Sequence, residues 1–194
     1  YHTESYNPSI ISNGLATYLL SKSAKNDKLK VVISGEGADE FFCGYKISND
    51  ISEAREKSVI LLKNLHYTEL RRLDLSSMAN TIEIRCPFLD KEVYAISKDL
   101  PLKDLKDKQI LRNLFTSDLP QEIIERQKTS FDVGSGIRKL VVEYLTKDNK
   151  TERETLKEIW CKFFDKNTAD NDYYHKYPVF DKAITKRGIN HKWI

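Results

Sequence analysis

The stretch Val31-Val32-Ile33-Ser34-Gly35-Glu36-Gly37-Ala38-Asp39-Glu40 decides how the chain is read. Three β-branched residues in a row have the character of a short buried strand. Ser34 and two glycines end it, and a helical pattern starts near Ala38. The order is strand, tight turn, helix. In open α/β sheets, ligands sit beyond the carboxyl ends of such strands. Glycines let backbone approach a phosphate without a Cβ in the way. The helix start offers unpaired N–H groups to an anion. Glu36, Asp39 and Glu40 bring carboxylates to the same place, which suits a magnesium ion between acid and phosphate. The plainer reading is a glycine turn before a helix that starts with acids, as helices favour.

The flanking sequence predicts mostly helix. Asn7-Pro8 has the form of an N-cap and first helical residue. Ile11, Leu15, Tyr18 and Leu19 then follow at helical spacing to about Lys25. Helices are expected through Ala54 to about Leu65, and from Thr68 to Ile82 with Leu70, Leu73 and Met78 as a core stripe. Asp90 is placed to cap the next helix. Asp107 to Phe115 reads as another, with Lys108 and Arg112 four apart on one face. There they attract a phosphate or simply face water. Residues 126–136 have a loop's composition, and Ile137 to Leu145 a helix's. Thr146 to Lys150 is a polar break, dividing 1–147 from a helical extension over 148–194. Thr151 and Glu154 form a capping box ahead of Leu156, Ile159, Trp160, Phe163 and Phe164. Two helical pieces separated by Pro178, with Gly188 as a stop, are expected beyond Asp170. Lys30 to Ser34 is the only convincing strand, so its neighbours are expected from residues outside this chain.

Composition excludes several classes. The net charge of the 194 residues is only +3, with no basic stripe for nucleic acid. Apolar runs are too short for a membrane span. Cys43, Cys86 and Cys161 are odd in number and widely spaced, which fits a reducing cytoplasm better than a disulfide or zinc framework.

Five stretches, taken in order, resemble the asparagine synthetase family. Ser34 to Glu40 with Gly44-Tyr45 resembles its SGEG(S/A)DE…GGY block. Arg85-Cys86-Pro87-Phe88-Leu89-Asp90 resembles RVPFLD. Lys108-Gln109-Ile110-Leu111-Arg112 resembles K-x-(I/L)-L-R. Arg126-Gln127-Lys128 with Phe131 and Gly134 resembles R-x-K-x-x-F…G. Tyr1 to Tyr6 resembles the segment that leads to the helix before SGEG. The family's pyrophosphate loop, Ser-Gly-Gly-Xaa-Asp-Ser, has no counterpart here, and neither has its glutamine-hydrolysing domain. Cys43 stands where the family has the first glycine of Gly-Gly-Tyr. A cysteine is strained there if the position needs positive φ.

The resemblance implies an α/β fold: the helix-rich C-terminal portion of an adenine-nucleotide α-hydrolase-like (PP-loop ATP pyrophosphatase) domain. Its parallel sheet would be completed by an N-terminal half carrying the Ser-Gly-Gly-Xaa-Asp-Ser loop, on the same or a separate polypeptide, or the chain would self-associate. It implies ATP and Mg²⁺ as cofactors. Aspartate would become asparagine through a β-aspartyl-AMP intermediate. Ser34, Gly35 and Gly37 would contact the nucleotide, and Asp39 and Glu40 would hold the metal. Glu36 would handle the attacking nitrogen and Lys128 the developing charge. Arg72, Asp74 and Arg112 are candidate substrate contacts, with solvated helix charges as the alternative. Two other readings remain: a relative acting on another carboxylate, such as a β-lactam synthetase or peptide cyclase, and a non-catalytic interaction module. Glu36 between its two glycines favours asparagine synthetase over both, because β-lactam synthetases carry another residue there.

Overall fold

The computed structural model describes residues 1–45, 49–147 and 149–169. Helix α1 (Pro8–Asn26) leads into strand β1 (Val31–Ile33) and the short helix α2 (Ala38–Phe41). Helices α3 (Ile51–Asn64) and α4 (Glu69–Met78) precede strand β2 (Glu83–Arg85). Helices α5 (Lys91–Asp99), α6 (Leu102–Leu105), α7 (Gln109–Leu114), α8 (Gln121–Ile124) and α9 (Phe131–Gly134) follow. Helices α10 (Ile137–Leu145) and α11 (Glu152–Trp160) complete the described part. The helical pieces expected beyond Asp170 lie outside the described residues.

Several caps form as the sequence dictates. The Asn7 carboxamide accepts from the N–H groups of Ser9 (3.0 Å) and Ile10 (3.4 Å). Asp90 accepts from Glu92 N–H at 2.7 Å. Thr151 and Glu154 make both bonds of a capping box. Each satisfies a donor that a helix start otherwise leaves open.

The expectation of a lone strand is overturned, because β2 pairs in parallel with β1, with Val31 opposite Glu83 and Ile33 opposite Arg85. The expected helix from Thr68 to Ile82 stops at Met78 instead. Thr81 then turns the chain with φ of +60°, and Glu83-Ile84-Arg85 runs alongside β1. Met78 is exposed and does not belong to the core.

Helix α1 lies against α4 through small and polar residues. Ser12, Asn13, Gly14, Ala16, Thr17 and Ser21 are buried, as are Ser76 and Ser77 of α4. Small residues let two backbones approach closely. Leu15, Leu19 and Leu20 face outward, and Ile33 on β1 is 76% exposed. One face of the sheet and one stripe of α1 are therefore uncovered in the described residues. Elsewhere among the described residues the larger apolar clusters are two. Phe41, Phe42, Cys43 and Leu105 gather beneath α2. Tyr6, Val141, Leu145, Leu156 and Trp160 join the N-terminal segment to α10 and α11, across the polar break at 146–150. Arg138 on α10 binds Glu152 on α11 through both carboxylate oxygens, at 2.6 and 2.7 Å. Arg55 on α3 ties α2 to α5 by donating to the carbonyls of Phe41 and Ser97.

Candidate functional site

The turn after β1 is built as its residue types require. Ser34 N–H donates to Arg85 O at 2.8 Å, which extends the pairing of the two strands by one rung. The Ser34 hydroxyl accepts from Glu36 N–H at 3.4 Å. Gly37 takes φ of +93° and precedes α2, and Leu89 packs over it. A Cβ on Gly37 would stand 2.4 Å from Leu89 Cδ2, so glycine is required twice over, by conformation and by space. Ser34, Gly35 and Gly37 are thus the framework of the turn. Gly35 is exposed on a cleft of about 500 Å³, whose lining also includes Phe88, Lys108, Leu111, Phe115 and Lys128.

Asp39 is the charge centre. Its two oxygens each accept from a lysine at 2.7 Å, Oδ1 from Lys108 and Oδ2 from Lys128. These residues lie 69 and 89 positions away in sequence. Burial pushes the Asp39 carboxyl up, but the two ammonium groups outweigh burial and hold it below its ordinary value. Gly44 makes room for this arrangement: a Cβ there would fall 2.0 Å from Asp39 Oδ1. The Lys128 ammonium also stands 5.3 Å from the centre of the Tyr45 ring, within cation–π reach.

Glu36 takes a different partner. Its carboxylate accepts from Arg72 on α4 at 2.7 Å, and Arg72 donates on to the Thr17 hydroxyl of α1 at 3.2 Å. Arg72 is buried, so it braces Glu36 from the inside. Asp74, two residues along α4, is exposed, and positions two apart do not share a helix face. Cys86 is close enough to Glu36 to feel it: burial first, then the Glu36 carboxylate, push its thiol up.

Glu40 stands apart from the open acids. It is 3% exposed and accepts from the Tyr45 hydroxyl at 2.7 Å. Burial pushes its carboxyl up to about 7, with the Glu69 and Asp39 charges adding to the rise. Burial and the same carboxylates hold the Tyr45 phenol well above its ordinary range. Glu40 is thus enclosed and already engaged by Tyr45, which makes it a less open donor for a hard cation than its place beside Asp39 suggests. Asp39 fits better. Magnesium commonly takes one or two carboxylates and completes its shell with phosphates and water. Among the described residues no group of three or more acids, histidines or cysteines forms a self-sufficient metal cage.

Arg112 was expected on one helix face with Lys108. In the structure Lys108 precedes α7, in the left-handed region at φ +60° beside Asp107 at +53°. Arg112 turns its guanidinium to backbone: Nε to Asp107 O at 2.8 Å, Nη1 to Ile124 O, and Nη2 to Arg126 O at 2.9 Å. Tyr45 is thus the site residue that sequence reasoning left without a role, and Lys108, read there as a phosphate contact or a solvated charge, meets a carboxylate of the turn. Both stand inside blocks already quoted, and only the fold shows that they meet Asp39 and Glu40.

A short parallel sheet with a glycine turn, paired acids and converging lysines at its carboxyl end defines an α/β protein with a cleft beside that turn. The comparisons are more specific. The asparagine synthase family model matches residues 1–58 and 48–185, and the chain belongs to that family. It is 37% identical over 154 residues to a probable glutamine-hydrolyzing asparagine synthetase of Schizosaccharomyces pombe, covering 70% of this chain and 28% of that protein. It is 32% identical over 203 residues to asparagine synthetase 3 of Arabidopsis thaliana, covering 96% and 35%. With Escherichia coli asparagine synthetase B it shares 34% over 145 residues, covering 70% and 26%. The chain thus spans about a quarter to a third of the length of these curated relatives.

Proposed function

We propose that this chain is the C-terminal portion of an ATP-dependent amide-forming domain that converts aspartate to asparagine. The observation that carries the reading is the convergence of Asp39, Lys108 and Lys128 beside the turn that holds Glu36, at the carboxyl end of β1. The relatives' names support the product. A PP-loop fold completed by an upstream half fits the uncovered face of β1, where Ile33 is exposed, and the outward leucines of α1. We read 148–194 as an extension of the same unit, since α11 shares a core with Tyr6 and α10. Among the described residues no helix is long and apolar enough to cross a membrane. The free cysteines Cys43, Cys86 and Cys161 support our placing the activity in the reducing cytoplasm.

The chemistry divides between the two ends of the turn. The aspartate carboxylate attacks the α-phosphorus of ATP, and pyrophosphate leaves as β-aspartyl-AMP forms. Lys108 and Lys128 neutralise negative charge on the phosphates, which is the work of preorganised cations in a partly dry site. Asp39 is the residue that would hold Mg²⁺, which supplies further charge neutralisation when bound. Ammonia then attacks the acyl carbon, AMP leaves, and the nitrogen loses a proton. We assign that proton to Glu36, whose carboxylate Arg72 holds at the turn. Ser34 and Gly35 border the nucleotide.

The test is ATP–pyrophosphate exchange beside amide production, in a complex restored with the upstream half. Lys128→Ala should lower exchange by roughly 100-fold or more, the scale for removing one electrostatic stabiliser. Asp39→Asn should lower exchange and raise the Mg²⁺ requirement. Glu36→Gln should spare part of the exchange and slow capture by ammonia. Exchange that is stimulated by another carboxylate and not by aspartate would move the chain to a different amide- or lactam-forming ligase. No exchange with any carboxylate would favour a non-catalytic module.

A further inference from the structure

We infer that Arg112 is a positioning residue: it clamps the backbone on both sides of the cleft so that Lys108 and Lys128 reach the same carboxylate. The inference rests on the proposed function only for what the two lysines do during a reaction. The clamp itself is a matter of geometry.

Neither lysine stands in an α-helix or a strand. Lys108 and Asp107 are consecutive left-handed residues, a conformation that L-residues hold only when their surroundings impose it. Lys108 N–H is anchored to Phe42 O at 3.1 Å. Arg112, one turn into α7, reaches back and holds the Asp107 carbonyl at 2.8 Å. On the other side, residues 126–130 have no regular structure. Among the described residues, no backbone N–H of this segment donates to another backbone group. Arg112 holds the carbonyl of Ile124, the last residue of α8, and that of Arg126 at 2.9 Å. Lys128 follows two residues later.

One planar group therefore fixes both approaches to Asp39. A guanidinium suits this task because it presents donors in a rigid fork, and three of its five are engaged here. A lysine ammonium at position 112 has the same charge but cannot span three carbonyls on two segments. The charge also lies at the C-terminal end of α8, where open carbonyls favour a cation. Arg112 borders the cleft itself, but three of its donors are committed to backbone carbonyls, and we assign its effect on an anion there to Lys108 and Lys128.

The discriminating measurement is the reactivity of individual lysines toward an amine-modifying reagent, followed by mass spectrometry on the whole chain without nucleotide. Lys108 and Lys128 should react slowly beside Lys139, whose side chain is 81% exposed. In Arg112→Lys, Lys128 should react roughly fivefold faster, the factor that about 1 kcal/mol of lost restraint carries, while Lys139 is unchanged. Arg112→Ala should show the same rise, and tens of millimolar guanidinium ion, far below denaturing levels, should restore protection. Arg112→Lys keeps the readout usable if the alanine variant does not fold. Protection equal to wild type in Arg112→Lys would overturn the clamp, whatever happens to activity. So would unchanged lysine reactivity in Arg112→Ala with weakened binding of inorganic pyrophosphate, because Arg112 would then meet the anion directly. None of these outcomes depends on whether aspartate is the substrate.

Discussion

Replacing Glu36 by glutamine should destabilise the chain before any chemistry is considered. The Arg72 side chain is 7% exposed and that of Glu36 19%, and the two meet at 2.7 Å. Removing one partner of a buried ion pair typically costs 3–5 kcal/mol, because the other charge stays in a poor solvent. Glutamine keeps an oxygen acceptor for Arg72, and Thr17 still accepts from the same guanidinium. The change is therefore closer to exchanging a charged hydrogen bond for a neutral one, about 1–1.5 kcal/mol, plus part of the stranded charge. The expected loss is about 2 kcal/mol. For a chain of this length, that lowers the melting temperature by roughly 4–8 °C. The assay is urea and thermal unfolding of wild type, Glu36→Gln, Arg72→Met and the double variant. In the Arg72→Met background the glutamine change should matter by less than about 0.5 kcal/mol, giving a coupling of 1–2 kcal/mol, within the range for residues in contact. Stability of Glu36→Gln within about 0.5 kcal/mol of wild type, or additive single changes, would refute the bracing role of Arg72.

Two further outcomes follow from the same region. Cys43 sits at φ +46°, so Cys43→Gly should be more stable than Cys43→Ala by about 0.5–1 kcal/mol, reversing the usual order; equal urea midpoints would show that the backbone relaxes instead. Glu40 is raised from 4.5 to about 7, so the fold favours its protonated form. Its stabilising contribution is complete below about pH 4.5 and is lost as pH rises to 7, a change on the order of a few kcal/mol. Urea midpoints at pH 5 and 7.5 should differ less in Glu40→Gln than in wild type, and an unchanged difference would assign the effect elsewhere.

How much of this was legible in the sequence depends on the range of the interaction. Caps at Asn7, Asp90 and Thr151 involve residues at most three apart, and the sequence names both partners. The strand at Val31–Ile33 and helix α10 follow from local pattern. Strand β2 does not, because Glu83-Ile84-Arg85 is three residues long, carries two charges, and becomes a strand only by pairing with β1. The apolar spacing of Leu15 and Leu19 marked α1 as a helix but not which side is buried, because close packing on α4 selects the small residues. The strain at Cys43 was foreseeable from the glycine it replaces, and its positive φ bears that out. The acids of the turn were visible as a group. Their separation into a braced Glu36, a doubly neutralised Asp39 and an enclosed Glu40 depends on partners from 5 to 89 positions away.

The carboxylate of Asp39 also acts as a resident competitor. Any anion that comes to Lys108 and Lys128 meets two cations already satisfied, each at 2.7 Å from an oxygen. Its apparent affinity is lowered by whatever free energy releases or shares those contacts. A ligand with one negative charge gains little by the exchange, since it replaces one carboxylate with another. A polyphosphate offers more charge than it displaces, and an accompanying divalent cation gives the freed Asp39 a new partner. In the proposed reaction, selection against ordinary cellular monoanions would follow from the occupant the protein carries itself.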